Sequence, residues 1–464
     1  MTGVMRVLGV VRVRAQDGPV WHRFRRNLSI SLLGSGLSLA VKLGQTALLA
    51  GALRVDDFGR VLIVLNLFVF LEAFVGLRVS DAMFRFFQPL KECGDAGALR
   101  GLLLFCLGVS LVTGLSIGGG VFVLSPWLAE RLYQSPGLAP LFKIYGCTVL
   151  VSAFREVYEP ILRIYDRFTS IVVPQVLGAL TTLTILAAYF AAADAYDLKT
   201  VVAAFTLGGL VQTVPPLALA LRLLRPHLSG IKAKAAARAL AKYHRELLRC
   251  LFHSNLSGYL KLAIDPGDIF LLGLFSAPAQ VALYGLAKQL TAPLALLQTN
   301  AQTAVAPEVV SLIANEKFAQ LKRLVRRYVV SASILGGLSV AGGLLLGRIF
   351  ISWLSRPEYA AALPVYYALL FVASLMLVFA VFRPLSVGLD LMRWYNFGLL
   401  MSAAIVLVFV AAGRLDAVNM AYAQLAGAVV LRLLCNAPVW ARLRALAGNS
   451  PERDEAGARG MLPE

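Results

Sequence analysis

Four ionisable side chains sit inside one apolar hairpin of this sequence. Lys261, Asp265, Asp268 and Lys288 interrupt two hydrophobic runs between Ser254 and Gln302. An ionised group at mid-membrane depth costs about 2.5 to 3.5 kcal/mol even on lenient insertion scales, so such groups face a watery interior and act there. Lysines in a wet cavity hold phosphate or carboxylate, and paired carboxylates hold a proton or Na+. At 1.5 Å per residue Lys261 is roughly 18 Å beyond Arg249, too deep for its amine to reach either surface. An i,i+4 pair with Asp265 is its structural alternative. Asp265 and Asp268 flank Pro266 and Gly267, which either break the span, baring carbonyls beside two carboxylates, or end it in a turn.

Outside the hairpin, Lys42 is a third cavity cation, with snorkelling to the outer face as its alternative. Glu72 joins Asp265 and Asp268 as a candidate for ion coupling, the alternative being a pair with a neighbouring helix. Arg78 and Arg85 follow one span and Arg155 and Arg163 end another. They read as a cytoplasmic mouth that first meets an anion, or as ion-paired helix ends, since Glu156 and Glu159 stand among the arginines at helical spacing.

These side chains must be positioned by helices in lipid. The chain has 464 residues, 59% hydrophobic and only 15% charged, where a soluble chain would carry about 25% charged residues. A spanning helix satisfies its own backbone in lipid, so the expected class is an all-α, polytopic membrane protein. Hydropathy predicts twelve spans: 27–53, 58–80, 100–125, 138–161, 168–192, 199–223, 249–275, 280–305, 328–350, 361–382, 394–413 and 417–438. They divide the chain into a cytoplasmic basic arm (1–26), a six-helix lobe (27–223), a basic amphipathic linker (224–248), a second six-helix lobe (249–438) and a cytoplasmic tail (439–464). Pro307 to Tyr328 reads as a second basic amphipathic element. With the N-terminus inside, only seven Lys and Arg fall in outer loops (Arg54, Arg60, Arg131, Lys199, Arg348, Arg356 and Arg414), as the positive-inside rule requires. The net charge of +19 is thereby a membrane signature, and no basic domain for nucleic acid is present. Five cysteines without regular spacing and four histidines suggest neither a disulfide framework nor a metal site.

Two halves of six spans have the same orientation, so a repeat between them is of the parallel kind. Asn27, Ser31, Ser35, Ser38, Lys42 and Gln45 share one arc of span one, and Ser254, Ser257, Lys261, Asp265 and Asp268 share one arc of span seven. A single constant offset in numbering carries Ser31 to Ser254, Ser38 to Lys261, Lys42 to Asp265 and Gln45 to Asp268. Tyr284, Lys288, Thr291, Gln298 and Gln302 form a third stripe on span eight. The three stripes are expected to line one polar interior.

At this point the chain resembles a known family. LRVDDFGRVL, leading into span two, is similar to the LGPEDFGxY segment of polysaccharide transporters, and GLRVSDAMFRFF after that span is similar to their later G…R segment. Asp268 to Gly273, followed by Val281, Tyr284, Ala287 and Leu290, resembles the hairpin of their second half, with Ala282 where that hairpin usually has glycine. The resemblance is to the polysaccharide transporter branch, including O-antigen repeat-unit flippases of the Wzx type, of the multidrug/oligosaccharidyl-lipid/polysaccharide (MOP) exporter superfamily. It implies two six-helix lobes around a central cavity and alternating access.

No nucleophile with a base and no phosphate-binding glycine loop is visible, so a transporter is expected rather than an enzyme. The expected cargo is a polyprenyl-pyrophosphate-linked oligosaccharide flipped across the inner membrane for O-antigen, capsule or exopolysaccharide synthesis. Membrane lipid, a glycan polymerase and glycosyltransferases are expected partners. No ATP motif or organic cofactor is expected, leaving an H+ or Na+ gradient, the membrane potential or downstream consumption of the flipped product as the energy source. A cation-coupled drug exporter of the same superfamily would let acids dominate its cavity, and a scaffold for glycan synthesis would not need Lys261.

Overall fold

The computed structural model describes residues 18–193, 195–228, 232–262, 265–353, 357–413 and 415–448. The first half comprises α1 (Gly18–Ala52), α2 (Val55–Val75), α3 (Val79–Glu92), α4 (Ala96–Gly114), α5 (Gly120–Trp127), α6 (Leu138–Ser152), α7 (Arg155–Ile164), α8 (Thr169–Ala192) and α9 (Leu198–Leu228). A short connector, α10 (Ala233–Ala241), leads to α11 (His244–Leu262), α12 (Gly267–Phe275), α13 (Pro278–Ala314), α14 (Phe318–Trp353), α15 (Ala362–Val378), α16 (Phe382–Gly388), α17 (Met392–Ala411) and α18 (Ala417–Gly448). The helices repeat in order. The starts of α2 and α13 are related by the same offset that joins Ser38 to Lys261, as are the starts of α8 and α17, and the breaks before α7 and α16 recur at nearly the same interval.

Ten stretches are long and apolar enough to cross a membrane. The expected spans 249–275 and 280–305 are not among them, because they carry the polar stripes. Span seven is broken: α11 stops at Leu262, and α12 restarts at Gly267 after the Asp265–Pro266 turn. Span eight lies within the 37-residue α13, which opens on Pro278 in its first turn, where a missing amide hydrogen costs nothing. The basic element expected over 307–328 is no separate helix, being the end of α13 and the start of α14 around a turn at 315–317. α1 already runs from Gly18, and α18 continues into the expected tail as far as Gly448. Residues 1–17 of the arm and 449–464 of the tail lie outside the described residues.

The hydrophobic core shows how the halves meet. At the end where α2 and α13 begin, one cluster draws on both: Leu49, Phe58 and Leu62 pack with Tyr284, Tyr359 and Met420. At the other end the core is divided. Met83, Leu102, Tyr158 and Leu251 belong to one cluster, and Val309, Leu321, Phe382 and Leu443 to another. The core is therefore closed across the halves at one end and split into two clusters at the other, where α11 of the second half packs with the first-half cluster.

Small residues permit the closed end. A Cβ on Gly59 would lie 1.8 Å from the Pro278 carbonyl oxygen, and one on Gly285 would lie 2.4 Å from a Leu62 methyl. Leu62 and Gly285 are themselves counterparts under the repeat, so this crossing of α2 and α13 sits on the axis relating the halves.

Candidate functional site

The break between α11 and α12 turns two carboxylates towards α13. From one helical turn beyond Tyr284, Lys288 Nζ donates to Asp268 Oδ2 at 2.7 Å, to Asp268 Oδ1 at 2.9 Å and to Asp265 Oδ1 at 3.1 Å. Asp268, with only 3% of its side chain exposed, also accepts from the Tyr284 hydroxyl at 2.8 Å and from the Ile269 amide at 2.8 Å. Asp265 is 55% exposed. Phe270, stacked on Phe70 with ring centroids 3.9 Å apart, pins α12 to α2.

This network corrects two expectations. Lys288 is not a free cavity cation, since two carboxylates claim its charge, although 32% of its side chain is exposed. Asp265 pairs with Lys288 rather than with Lys261, so neither Asp265 nor Asp268 is a free acid. The DPGD segment is a break within span seven, not its end.

Lys261 is exposed, its carbonyl accepting from the Asp265 amide at 3.0 Å and its side-chain amine making no hydrogen bond or ion pair among the described residues. The charges that act on it are those of Asp265, Arg383, Arg78 and Lys288. Arg78 is brought there by α11. Its amide donates to Asn255 Oδ1 at 3.1 Å, and its guanidinium lies against Gly258, where a Cβ would meet Nε at 2.9 Å. The Ser254 hydroxyl donates to Asp81 beside it. Arg85 is exposed on α3 with its guanidinium 5.6 Å from the centroid of the neighbouring Phe86 ring.

In the first half, Lys42 is likewise exposed and feels the charge of Arg155. Glu72 accepts a hydrogen bond from the Ser152 hydroxyl of α6, so its link is to a neighbouring helix. On α7, Glu159 lies 3.7 Å from Arg155 and 3.1 Å from Arg163, while Glu156 accepts from the Ser80 amide and hydroxyl. These arginines are thus ion-paired. The stripe on α1 is divided rather than uniformly wet: Ser38 is buried, and buried Gln45 donates to the Ala179 carbonyl of α8 at 2.6 Å. The Asn27, Ser31 and Ser257 side chains lie outside those described. On α13, Tyr284 and Thr291 are buried, and Gln298 and Gln302 half-buried.

Arg383 is the residue that spacing arguments missed, because it falls just after an expected span and looks like an ordinary cytoplasmic arginine. A signal was present. Phe154-Arg155 and Phe382-Arg383 are the same dipeptide, each at a break in the fourth span of its half. Among the described residues, no group of three or more His, Cys, Asp or Glu gathers to hold a metal ion.

An all-helical bundle with ten stretches long and apolar enough to cross a membrane among its described residues defines a polytopic membrane protein. The chain belongs to the polysaccharide biosynthesis protein family, whose model matches residues 48–352. No curated protein matches the sequence. Among solved structures, an inward-facing multidrug resistance MATE family transporter of the MOP superfamily aligns with TM-score 0.69 and 16% identity, over 89% of this chain and 96% of that one. Lipid II flippase MurJ, in an inward closed conformation, aligns with TM-score 0.67 and 11% identity over 93% of both chains. A MOP superfamily transporter from Pyrococcus furiosus aligns with TM-score 0.63 and 15% identity, over 92% of this chain and 96% of the other. At these identities the likeness is one of fold.

Proposed function

We propose that this protein is a flippase that carries a polyprenyl-pyrophosphate-linked glycan repeat unit from the inner to the outer leaflet of the cytoplasmic membrane, by alternating access. The observation that carries the reading is Lys261, an exposed cation at the last turn of α11 whose amine makes no hydrogen bond or ion pair among the described residues, and on which the charges of Asp265, Arg383 and Arg78 act. A hydrated glycan cannot cross hydrocarbon, and an unpaired phosphate charge there is costlier still. Cations between the two halves offset that charge, while the split between the inner cores leaves a path by which the lipid tail stays in the bilayer.

Both termini are assigned to the cytoplasm on the distribution of Lys and Arg, so the split end faces the side where the glycan is built. O-antigen, capsule or exopolysaccharide synthesis would supply the cargo through glycosyltransferases, and a polymerase would consume the product. Coupling to H+ is assigned to Glu72, which, although hydrogen-bonded to Ser152 of α6, lies within ion-pair distance of no Lys or Arg among the described residues, whereas Lys288 holds Asp265 and Asp268. Two charges moving through 100 mV contribute about 4.6 kcal/mol, enough to bias the cycle. The drug-exporter reading is weakened by the same pairing, which leaves cations rather than acids free in the cavity.

A transport-dependent growth assay tests the reading. In cells lacking their own flippase for this glycan, the parent restores surface polysaccharide and Lys261→Ala, expressed at equal level, does not. Full restoration by Lys261→Ala would remove the cationic cavity from the mechanism and favour a scaffold.

A further inference from the structure

The starts of α4 and α14 are equivalent under the repeat but carry opposite surfaces. The offset that joins Ser38 to Lys261 also joins Ala98 and Leu102 of α4 to Leu321 and Val325 of α14, and all four are buried. It joins Leu99, Arg100, Leu103 and Leu104 to Lys322, Arg323, Arg326 and Arg327, and there the likeness ends. The four residues on α14 are exposed cations, whereas Leu99 and Leu103 are buried apolar side chains.

The connector α10 covers that apolar stretch. A Cβ on Gly101 would lie 2.4 Å from the Ala236 carbonyl oxygen and 2.8 Å from Leu240 Cβ, and one on Gly97 would lie 3.1 Å from Ala239 Cβ. Ala239 and Leu240 pack into the cluster that holds Leu99 and Leu103. On the outside, α10 and its two end residues present Lys232, Lys234, Arg238 and Lys242, all exposed. The connector thus gives the first half the cationic surface that the second half carries on α14 itself.

The acids near these surfaces leave the cations unmatched. Glu92 and Asp95, before α4, accept from Gln88 and from the Ala98 amide. Glu246, Glu308 and Glu316 are exposed, and among the described residues none of them is ion-paired with a cation of either surface. Depth points to the partner. Exposed Val330 and Ile334 follow Arg326 one and two turns along α14, the first roughly 6 Å on at 1.5 Å per residue. Exposed Leu221 of α9 and Leu248 of α11 flank α10 in the same way. A change from cation to exposed apolar side chain within one or two turns is the profile of a helix leaving the headgroup layer for hydrocarbon.

We propose that α10 and the start of α14 bind anionic phospholipid headgroups in the leaflet at the split end, one surface on each half. Basic clusters beside a spanning helix attract an anionic leaflet, and the attraction is lost within a Debye length, so headgroup depth is where it acts. Seating on Gly97 and Gly101 fixes the charges of α10 in place, which makes Gly101 as important to its surface as the lysines. The inference stands apart from the flippase reading.

The test titrates the purified full-length protein, in detergent, with fluorescent phosphatidylglycerol or phosphatidylcholine. The parent should prefer phosphatidylglycerol about tenfold, and replacing Lys232, Lys234, Arg238 and Lys242 by Gln, or Lys322, Arg323, Arg326 and Arg327 by Gln, should weaken its binding about threefold or more. Both sets together should abolish the preference. Gly101→Leu, which changes no charge, should weaken phosphatidylglycerol binding as much as the α10 set. An equal loss of charge at the closed end, with Arg54, Arg131, Lys199 and Arg348 replaced by Gln, should leave it within about twofold of the parent. Elution as a single species confirms that each variant is folded. A parent without the preference would overturn the proposal, as would a closed-end set as damaging as the other two, since net charge alone would then explain binding. Tighter binding of a single-stranded oligonucleotide than of phosphatidylglycerol would assign the surfaces to nucleic acid instead. Unchanged binding by Gly101→Leu would remove the seated α10 from the site.

Discussion

Lys288 of α13 holds both carboxylates of the break between α11 and α12. Its charge is shared by Asp268 and Asp265, and Asp268 is satisfied further by Tyr284 and by a backbone amide. Removing Lys288 leaves the carboxylate of Asp268, only 3% exposed, uncompensated; a fully buried pair loses about 3 to 5 kcal/mol in this way, and the 32% exposure of Lys288 lowers that cost. Lys288→Ala should therefore lower the melting temperature sharply, and Lys288→Met combined with Asp268→Leu should melt closer to the parent than either single change. Additive losses in that double-mutant cycle would mean that the two groups do not act as a unit. Tyr284→Phe removes one hydrogen bond to a charged acceptor and should cost about 1.5 to 3 kcal/mol in the same measurement. The presence of these charges was legible in the sequence, because a lysine or aspartate in an apolar run is conspicuous. Their partnership was not, since it depends on the direction in which α12 leaves the break.

At the scale of elements, the crossing of α2 and α13 decides which end is closed. Gly59 has no room for a side chain against Pro278, and the crossing lies on the axis between the halves. Gly59→Leu should prise the closed end apart and shift the population towards the opposite conformation. Spin labels at Asp56→Cys and Glu358→Cys, with the native cysteines replaced, report on this: Phe58 and Tyr359, close to those positions, hold their ring centroids 6.4 Å apart. The distance between labels should lengthen and broaden in the Gly59→Leu background, and an unchanged distribution would show that the crossing does not set the closed end. The offset that joins Ser38 to Lys261 also joins the starts of α2 and α13, so the repeat was readable from polar spacing. The break at Leu262 and the fusion of span eight into a 37-residue α13 were less so, because hydropathy averages over a window and cannot see where backbone hydrogen bonds stop.

For the whole molecule, orientation follows from charge. Cys93 is exposed in the turn between α3 and α4, at the split end. A membrane-impermeant maleimide should reach it in inverted vesicles and not in intact cells, and the reverse pattern would turn the molecule over. Cys147, although exposed, lies on the apolar α6 and should resist the aqueous reagent from either side.

The central claim is that cations between the halves carry a charged lipid-linked glycan across the bilayer. Its most direct measurement is the movement of a fluorescent polyprenyl-pyrophosphate oligosaccharide in proteoliposomes containing the purified protein, scored by access of a lectin to the far leaflet. The parent should flip it, Lys261→Arg should retain most of the rate, and Lys261→Gln should lose at least tenfold. A parent that leaves the glycan where it started, or a Lys261→Gln variant as fast as the parent, would contradict the claim.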